Sequence, residues 1–237
     1  MLTVSFSKEL TSSIHHIGNE ATPLFVFEQF VDKPQQLRQL AANEAQDFIA
    51  QPSDYYPGIR RNAPQAYHAL LGKQLLPLLK QYPPFSRATQ IDVTLSAFSI
   101  ATTKPAQLKP IQMLPHFDTP ADNQFALVHY LCEHRHGGTS FYRHKASGFE
   151  RINAERDHSY RLTLKQQAMA AKLHQRPGYI RGSTSLFEQF YTVSAQMNRA
   201  ILYPSNVLHS GDIQPHIGLS AAPDAGRLTI SSFITVK

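Results

Sequence analysis

Ile91-Asp92-Val93-Thr94-Leu95-Ser96 is where the pattern of the chain changes. Ile91, Val93 and Leu95 alternate with Asp92, Thr94 and Ser96, and a period of two puts the two sets on opposite faces of an extended chain, as in a half-buried strand. Beyond it come short runs rich in Phe, Tyr, Ile and Val at 110–117, 125–132, 139–143, 186–193, 199–204, 206–210 and 227–236. Turn-forming residues separate them, so each reads as a strand. One helix is expected among them, roughly 162–174, closed by Arg176-Pro177-Gly178.

Upstream of residue 91 the spacing is helical. Asp32-Lys33-Pro34-Gln35 resembles a helix start, with Asp32 as cap and Gln35 closing a capping box. Leu37, Leu40, Ala41, Ala45, Phe48 and Ile49 follow at helical spacing, and Pro52 ends the run. A second stripe, Tyr67, Leu70, Leu71, Leu75, Leu78, Leu79 and Tyr82, is interrupted by Pro77, which predicts a kink or two short helices. Helices followed by about eight strands make an α+β chain whose C-terminal part is a sandwich or open barrel. The expected organisation is a single domain over 1–237, with a mainly helical support at 1–90 and the strand-rich core at 91–237.

Composition narrows the function. The 237 residues are 42% hydrophobic and 17% charged, which excludes a disordered chain and supplies a sizeable core. No apolar run is long enough for a membrane helix, and Met1 to Lys8 has neither the basic start nor the apolar stretch of a signal peptide. The expected compartment is the cytoplasm. Cys132, the single cysteine, excludes an internal disulfide and a multi-cysteine zinc site. The net charge of +6 is uneven, with ten basic against three acidic residues over 134–181. That surplus is either a solvated basic face or an attraction for an anionic substrate. No basic–aromatic interleaving points to nucleic acid.

His116-Phe117-Asp118 ends one strand candidate. Residues two apart on an extended chain share a face, so an imidazole and a carboxylate converge. With a later histidine the set becomes two His and one carboxylate on one side of a metal, the facial arrangement of non-haem Fe(II) sites. Twelve histidines in the chain make one such spacing common by chance, so the surrounding sequence has to decide.

That surrounding sequence, His116 to Lys237, resembles the catalytic core of the Fe(II)- and 2-oxoglutarate-dependent dioxygenases, most closely the prolyl-4-hydroxylase-like branch. His116-Phe117-Asp118 is similar to the family's metal-binding motif. Phe125 to Leu131 resembles the next core strand, where the family often places a tyrosine on the cosubstrate carboxylate; Tyr130 fits. Gly137-Gly138-Thr139-Ser140-Phe141 is similar to the entry of the following strand. Arg199 to Ser205 resembles the strand and turn before the distal histidine, His209. Arg227-Leu228-Thr229-Ile230-Ser231-Ser232-Phe233 resembles the last core strand, whose arginine grips the far carboxylate of 2-oxoglutarate. The resemblance implies a double-stranded β-helix (jelly-roll, cupin-like) core with the N-terminal helices packed against it. His116, Asp118 and His209 would be catalytic metal ligands for Fe(II). Arg227, with Tyr130, Thr229 and Ser231, would bind 2-oxoglutarate. An arginine fork is the natural partner of a buried carboxylate, and Arg227, Thr229 and Ser231 share one strand face.

One spacing departs from the family. The step from His209 to Arg227 is eighteen positions, longer than usual, which fits an inserted loop at 218–226 and makes His216 a rival distal ligand. His209 is favoured because it follows the matching strand and turn. The resemblance covers about half the chain, and its motifs speak to cofactor chemistry rather than to a substrate, which is a small molecule or a peptidyl group. Elsewhere, His134-Arg135-His136 with His144 is either a second metal site or a polar hairpin tip. Cys132 reads as a buried small hydrophobe, and Tyr55 to Asn62 as a lid or a surface loop. The competing function is a catalytically silent jelly roll that binds a small ligand or a protein partner.

Overall fold

A computed structural model describes residues 2–50, 55–83 and 85–237. It is an α+β chain built on two antiparallel sheets. The larger has seven strands in the order β1 (Thr11–Ile17), β2 (Thr22–Glu28), β8 (Ala200–Pro204), β5 (Gln124–Tyr130), β10 (Leu228–Val236), β4 (Ile91–Ala101), β3 (Gly58–Asn62). The smaller has three, in the order β7 (Phe187–Ser194), β6 (Gly137–His144), β9 (His209–Ile213).

Strand alternation gives the large sheet two different faces. On one, Phe25, Phe27, Phe98, Ile100, Phe125, Leu127, Leu202, Leu228 and Ile230 join one apolar cluster with Leu37 and Ala41 of α1 (Pro34–Asn43) and Tyr67 and Leu70 of α2 (Gln65–Leu70). Each such side chain, when fully buried, contributes about 1.5–3 kcal/mol. On the other face, Leu24, Val26, Ala126, Tyr130, Ile201 and Tyr203 meet Phe141 and Val193 of the small sheet. This two-sheet packing is consistent with a β-sandwich.

The N-terminal region departs from the sequence reading. The described residues among the first ninety hold three strands, β1, β2 and β3, and all belong to the large sheet. Leu24-Phe25-Val26-Phe27 is apolar at every position because both of its faces are covered, which hides the period of two. Helix α1 ends at Asn43, and its N-cap is Lys33 without a side-chain cap, so Asp32 and Gln35 do not form the expected box. Phe48 and Ile49 lie beyond the helix; Pro52 falls outside the described residues. The second stripe becomes α2, a π-helical turn at Leu71–Leu75 and α3 (Leu76–Leu79). A wider turn just before Pro77 fits a residue that lacks an N–H and crowds the carbonyl four back.

Three C-terminal elements also differ, among them the strand expected at 206–210, which is β9 and starts only at His209 after a turn at 205–206. The strand expected at 110–117 is a 3-10 turn at Pro110–Met113 followed by one isolated bridge at His116. Pro110 and Pro115 have no N–H to give to a ladder. The helix expected at 162–174 is α4 (Ala154–Ala170), begun by Asn153, whose side chain accepts a hydrogen bond from the Arg156 N–H at 3.1 Å. Tyr160 is its one buried residue, so the start carried no apolar stripe. No helix among the described residues is long and apolar enough to cross a membrane.

Candidate metal centre

Backbone pairing brings the expected ligands together. The His116 N–H donates to the His209 carbonyl at 2.9 Å, and the His209 N–H returns to the His116 carbonyl at 2.8 Å. Residues paired in this way project their side chains to the same side, and the two imidazole centroids are 4.4 Å apart. Asp118, two residues on, is fixed by its N–H donating to the Ser205 carbonyl at 2.8 Å. Its carboxylate oxygens lie 3.9 Å from His116 Nε2 and 3.8 Å from His209 Nε2. One ligand atom from each of the three lies within 4.8 Å of the others, and among the described residues no other cluster of this kind occurs. His216, in the short helix α5 (Pro215–Gly218), is exposed and takes no part in it. His134, His136 and His144 form no second cluster among the described residues; His144 is saturated by Ser147 at 2.8 Å and Gln167 at 2.7 Å.

The electrostatics suit a divalent metal. His209 Nδ1 donates to the Val207 carbonyl at 3.0 Å, which leaves Nε2 with its lone pair facing Asp118. The Tyr203 ring packs edge-on against the His209 ring at 4.8 Å, and Phe141 backs Tyr203 at 5.1 Å. Burial pulls the His209 pKa down to about 4, against the hydrogen bond to Val207. His116 is also lowered to about 4, by burial first and then by His209. Its side chain is 44% exposed through the cavity mouth, so burial weighs less there than at His209, which is 7% exposed. Burial raises the Asp118 pKa, against the pull of His116 and Arg60. Two neutral imidazoles and one carboxylate are a donor set suited to a divalent metal, with coordination positions left open.

The cluster opens into a cavity of about 350 Å³, whose lining also includes Arg227, Thr229 and Ser231. Arg227 is 4% exposed. Its Nη2 donates to the Gly138 carbonyl at 2.7 Å, Nε has no hydrogen-bond partner, and among the described residues no carboxylate pairs with it. Asp212 acts on it only from beyond ion-pair distance, so a buried guanidinium with no directly paired carboxylate is suited to an anion entering the cavity. Gly138 and its neighbour explain the paired glycines: Gly137 has φ +93°, and a Cβ there would run into the Asp212 carbonyl, while one on Gly138 would meet the Val193 carbonyl. The loop after α5 docks on α1, where Arg38 Nη2 donates to the Asp224 carbonyl at 2.9 Å.

Tyr130 is placed differently from the other expected cosubstrate residues. It lies beneath Arg227, fully enclosed, with its hydroxyl 2.7 Å from Thr139 Oγ1. Tyr55, Tyr56, Pro57 and Arg60 line the cavity, so the segment 55–62 contributes a wall, and its remainder is the edge strand β3. The sequence reading passed over Tyr203, Phe117 and Tyr179, which line the same space; single aromatics in strands and loops carry no pattern that marks them. Cys132 is buried, and burial pushes its thiol pKa up to about 11, as for an inert core residue. Much of the basic surplus over 134–181 is paired: Arg143 with Glu150 and Glu188, Arg156 with Glu20, Arg161 with Asp157, Arg181 with Asp212.

The chain belongs to DUF6445, a family of unknown function, which matches residues 8–234. No curated protein matches it.

Proposed function

We propose that this chain is a non-haem iron, 2-oxoglutarate-dependent dioxygenase that hydroxylates a small-molecule or peptidyl substrate, built on a double-stranded β-helix core. The observation that carries the reading is one cavity lined both by a two-histidine, one-carboxylate cluster and by a buried guanidinium with which no carboxylate among the described residues forms an ion pair. A catalytically silent binding module has no use for both. The seven- and three-stranded antiparallel sheets facing across the cavity fit the jelly-roll core that the motifs resemble.

Within this reading His116, Asp118 and His209 hold Fe(II) on one side. Arg227 neutralises the far carboxylate of 2-oxoglutarate by a charge-assisted pair, with the Thr229 and Ser231 hydroxyls on the same strand face. Bound there, iron and 2-oxoglutarate would supply oxygen activation, coupling oxidative decarboxylation of the cosubstrate to hydroxylation of a substrate C–H bond. The protein contributes neutral imidazoles, a fixed His209 ring and an aromatic wall of Tyr55, Tyr56, Phe117 and Tyr179 that limits water entry.

Anaerobic calorimetry tests the coupling of the metal cluster and Arg227. Fe(II)-loaded protein should bind 2-oxoglutarate at least tenfold more tightly than metal-free protein, because chelation adds to the Arg227 pair. Equal affinity with and without the metal would contradict the reading.

A further inference from the structure

Tyr130 is the tyrosine that the sequence assigns to the cosubstrate, but its phenol is occupied. It bonds Thr139 Oγ1 at 2.7 Å, has no exposed surface and is not among the residues lining the cavity. Its ring lies against the guanidinium, with the centroid 5.9 Å from Arg227 Cζ, which makes it a floor rather than a donor.

Tyr56 does line that cavity, together with Arg227, Thr229 and Ser231. The backbone around it is firmly placed. The Gly58 N–H donates to the Tyr56 carbonyl at 2.9 Å, and the Thr102 and Thr103 N–H groups donate to the Pro57 carbonyl at 3.1 and 3.2 Å. At Gly58 a Cβ would run into the Ile100 carbonyl, so β3 approaches β4 as closely as only glycine permits. The Arg60 guanidinium covers the Tyr56 ring at 4.3 Å, fixing its plane. Burial disfavours the charge on Arg227, but its neighbours Tyr56, Cys132, Tyr130 and Asp212 together outweigh this and hold its pKa above the ordinary arginine value.

We infer that Tyr56, rather than Tyr130, supplies the phenolic hydroxyl that donates to the far carboxylate of 2-oxoglutarate beside Arg227. The inference rests on the dioxygenase reading. It transfers a binding residue from the core strand β5 to the segment leading into β3, outside the part of the chain that carries the family motifs.

The test is anaerobic calorimetry of 2-oxoglutarate into Fe(II)-loaded wild type, Tyr56→Phe and Tyr130→Phe. Losing a hydrogen bond to a charged group should weaken 2-oxoglutarate binding by about tenfold or more in Tyr56→Phe. Affinity for 2-oxobutanoate, which chelates alike but lacks the far carboxylate, should be unchanged in that variant. Tyr130→Phe should bind 2-oxoglutarate within about twofold of wild type and show its effect as a lower Tm. Wild-type affinity in Tyr56→Phe, or a loss for 2-oxobutanoate as large as for 2-oxoglutarate, overturns the inference and leaves the dioxygenase reading standing. Wild type that binds no 2-oxoglutarate overturns the reading itself.

Discussion

His116 and His209, ninety-three positions apart in the chain, exchange two backbone hydrogen bonds of 2.9 and 2.8 Å. That isolated bridge makes the juxtaposition of the two imidazoles a property of the backbone. Asp118 joins because an extended segment returns its side chain to the same face two residues later.

Removing either histidine should therefore abolish metal binding without unfolding the protein. His116→Ala or His209→Ala takes one of three protein ligands, a larger loss than the 10- to 100-fold cost typical of residues that only orient ligands. His216→Ala should leave Fe(II) affinity unchanged. Metal titration with circular dichroism on each variant checks this, and loss of metal in His216→Ala alone would show the ligand assignment to be wrong.

Arg227 should affect the cosubstrate and spare the metal. Arg227→Leu is expected to weaken 2-oxoglutarate binding by about 2–5 kcal/mol, the cost of truncating one partner of a buried charge pair. Arg227→Lys should fall between, since a point charge replaces the fork. Titrations of both ligands into each variant separate the effects.

Gly137 should tolerate no side chain. At φ +93° and against the Asp212 carbonyl, Gly137→Ala combines backbone strain with overpacking. A destabilisation of about 3 kcal/mol in urea unfolding is expected. Gly178, with open space around its Cβ position, should accept alanine with little change.

Stability should fall on acidification through His129. This residue is fully buried, stacked on Tyr67 at 5.8 Å, with Nδ1 3.3 Å from the Tyr67 hydroxyl and Nε2 3.1 Å from Asn198 Oδ1. Burial, opposed by the Asn198 bond, lowers its pKa to about 4 from the ordinary 6.5. Between those values the unfolded chain binds a proton that the folded one does not. The stabilisation is thus complete above pH 6.5 and is lost as pH falls towards 4. At pH 5 the loss from this group is on the order of 2 kcal/mol. Urea midpoints at pH 7.5 and 5 should differ less in His129→Asn than in wild type, and equal differences would contradict the assignment.

Most strands from β4 onward were legible because their residues alternate or sit beside turn residues. The spacing of His116 and Asp118 was too common by chance to mark a site, and His209 was reached only through the resemblance of the strand and turn before it. Leu24 to Phe27 was not legible, since a strand covered on both faces loses its alternation. The start of α4 was hidden because a helix with only Tyr160 buried has no apolar stripe to read. Arg227 was legible through its motif, but that no carboxylate among the described residues forms an ion pair with it needed three dimensions. Tyr56 stands sixty residues before the first metal ligand, and only β3 pairing with β4 brings it into the cavity.

The most direct measurement adds 2-oxoglutarate to Fe(II)-loaded protein under strict anaerobiosis and follows the visible spectrum. Chelation of the iron through the keto and adjacent carboxylate oxygens should produce a weak charge-transfer band in wild type, and the band should be absent in His209→Ala. Folded, iron-loaded wild type that shows no band at saturating 2-oxoglutarate would contradict the assignment of this cavity to iron and 2-oxoglutarate.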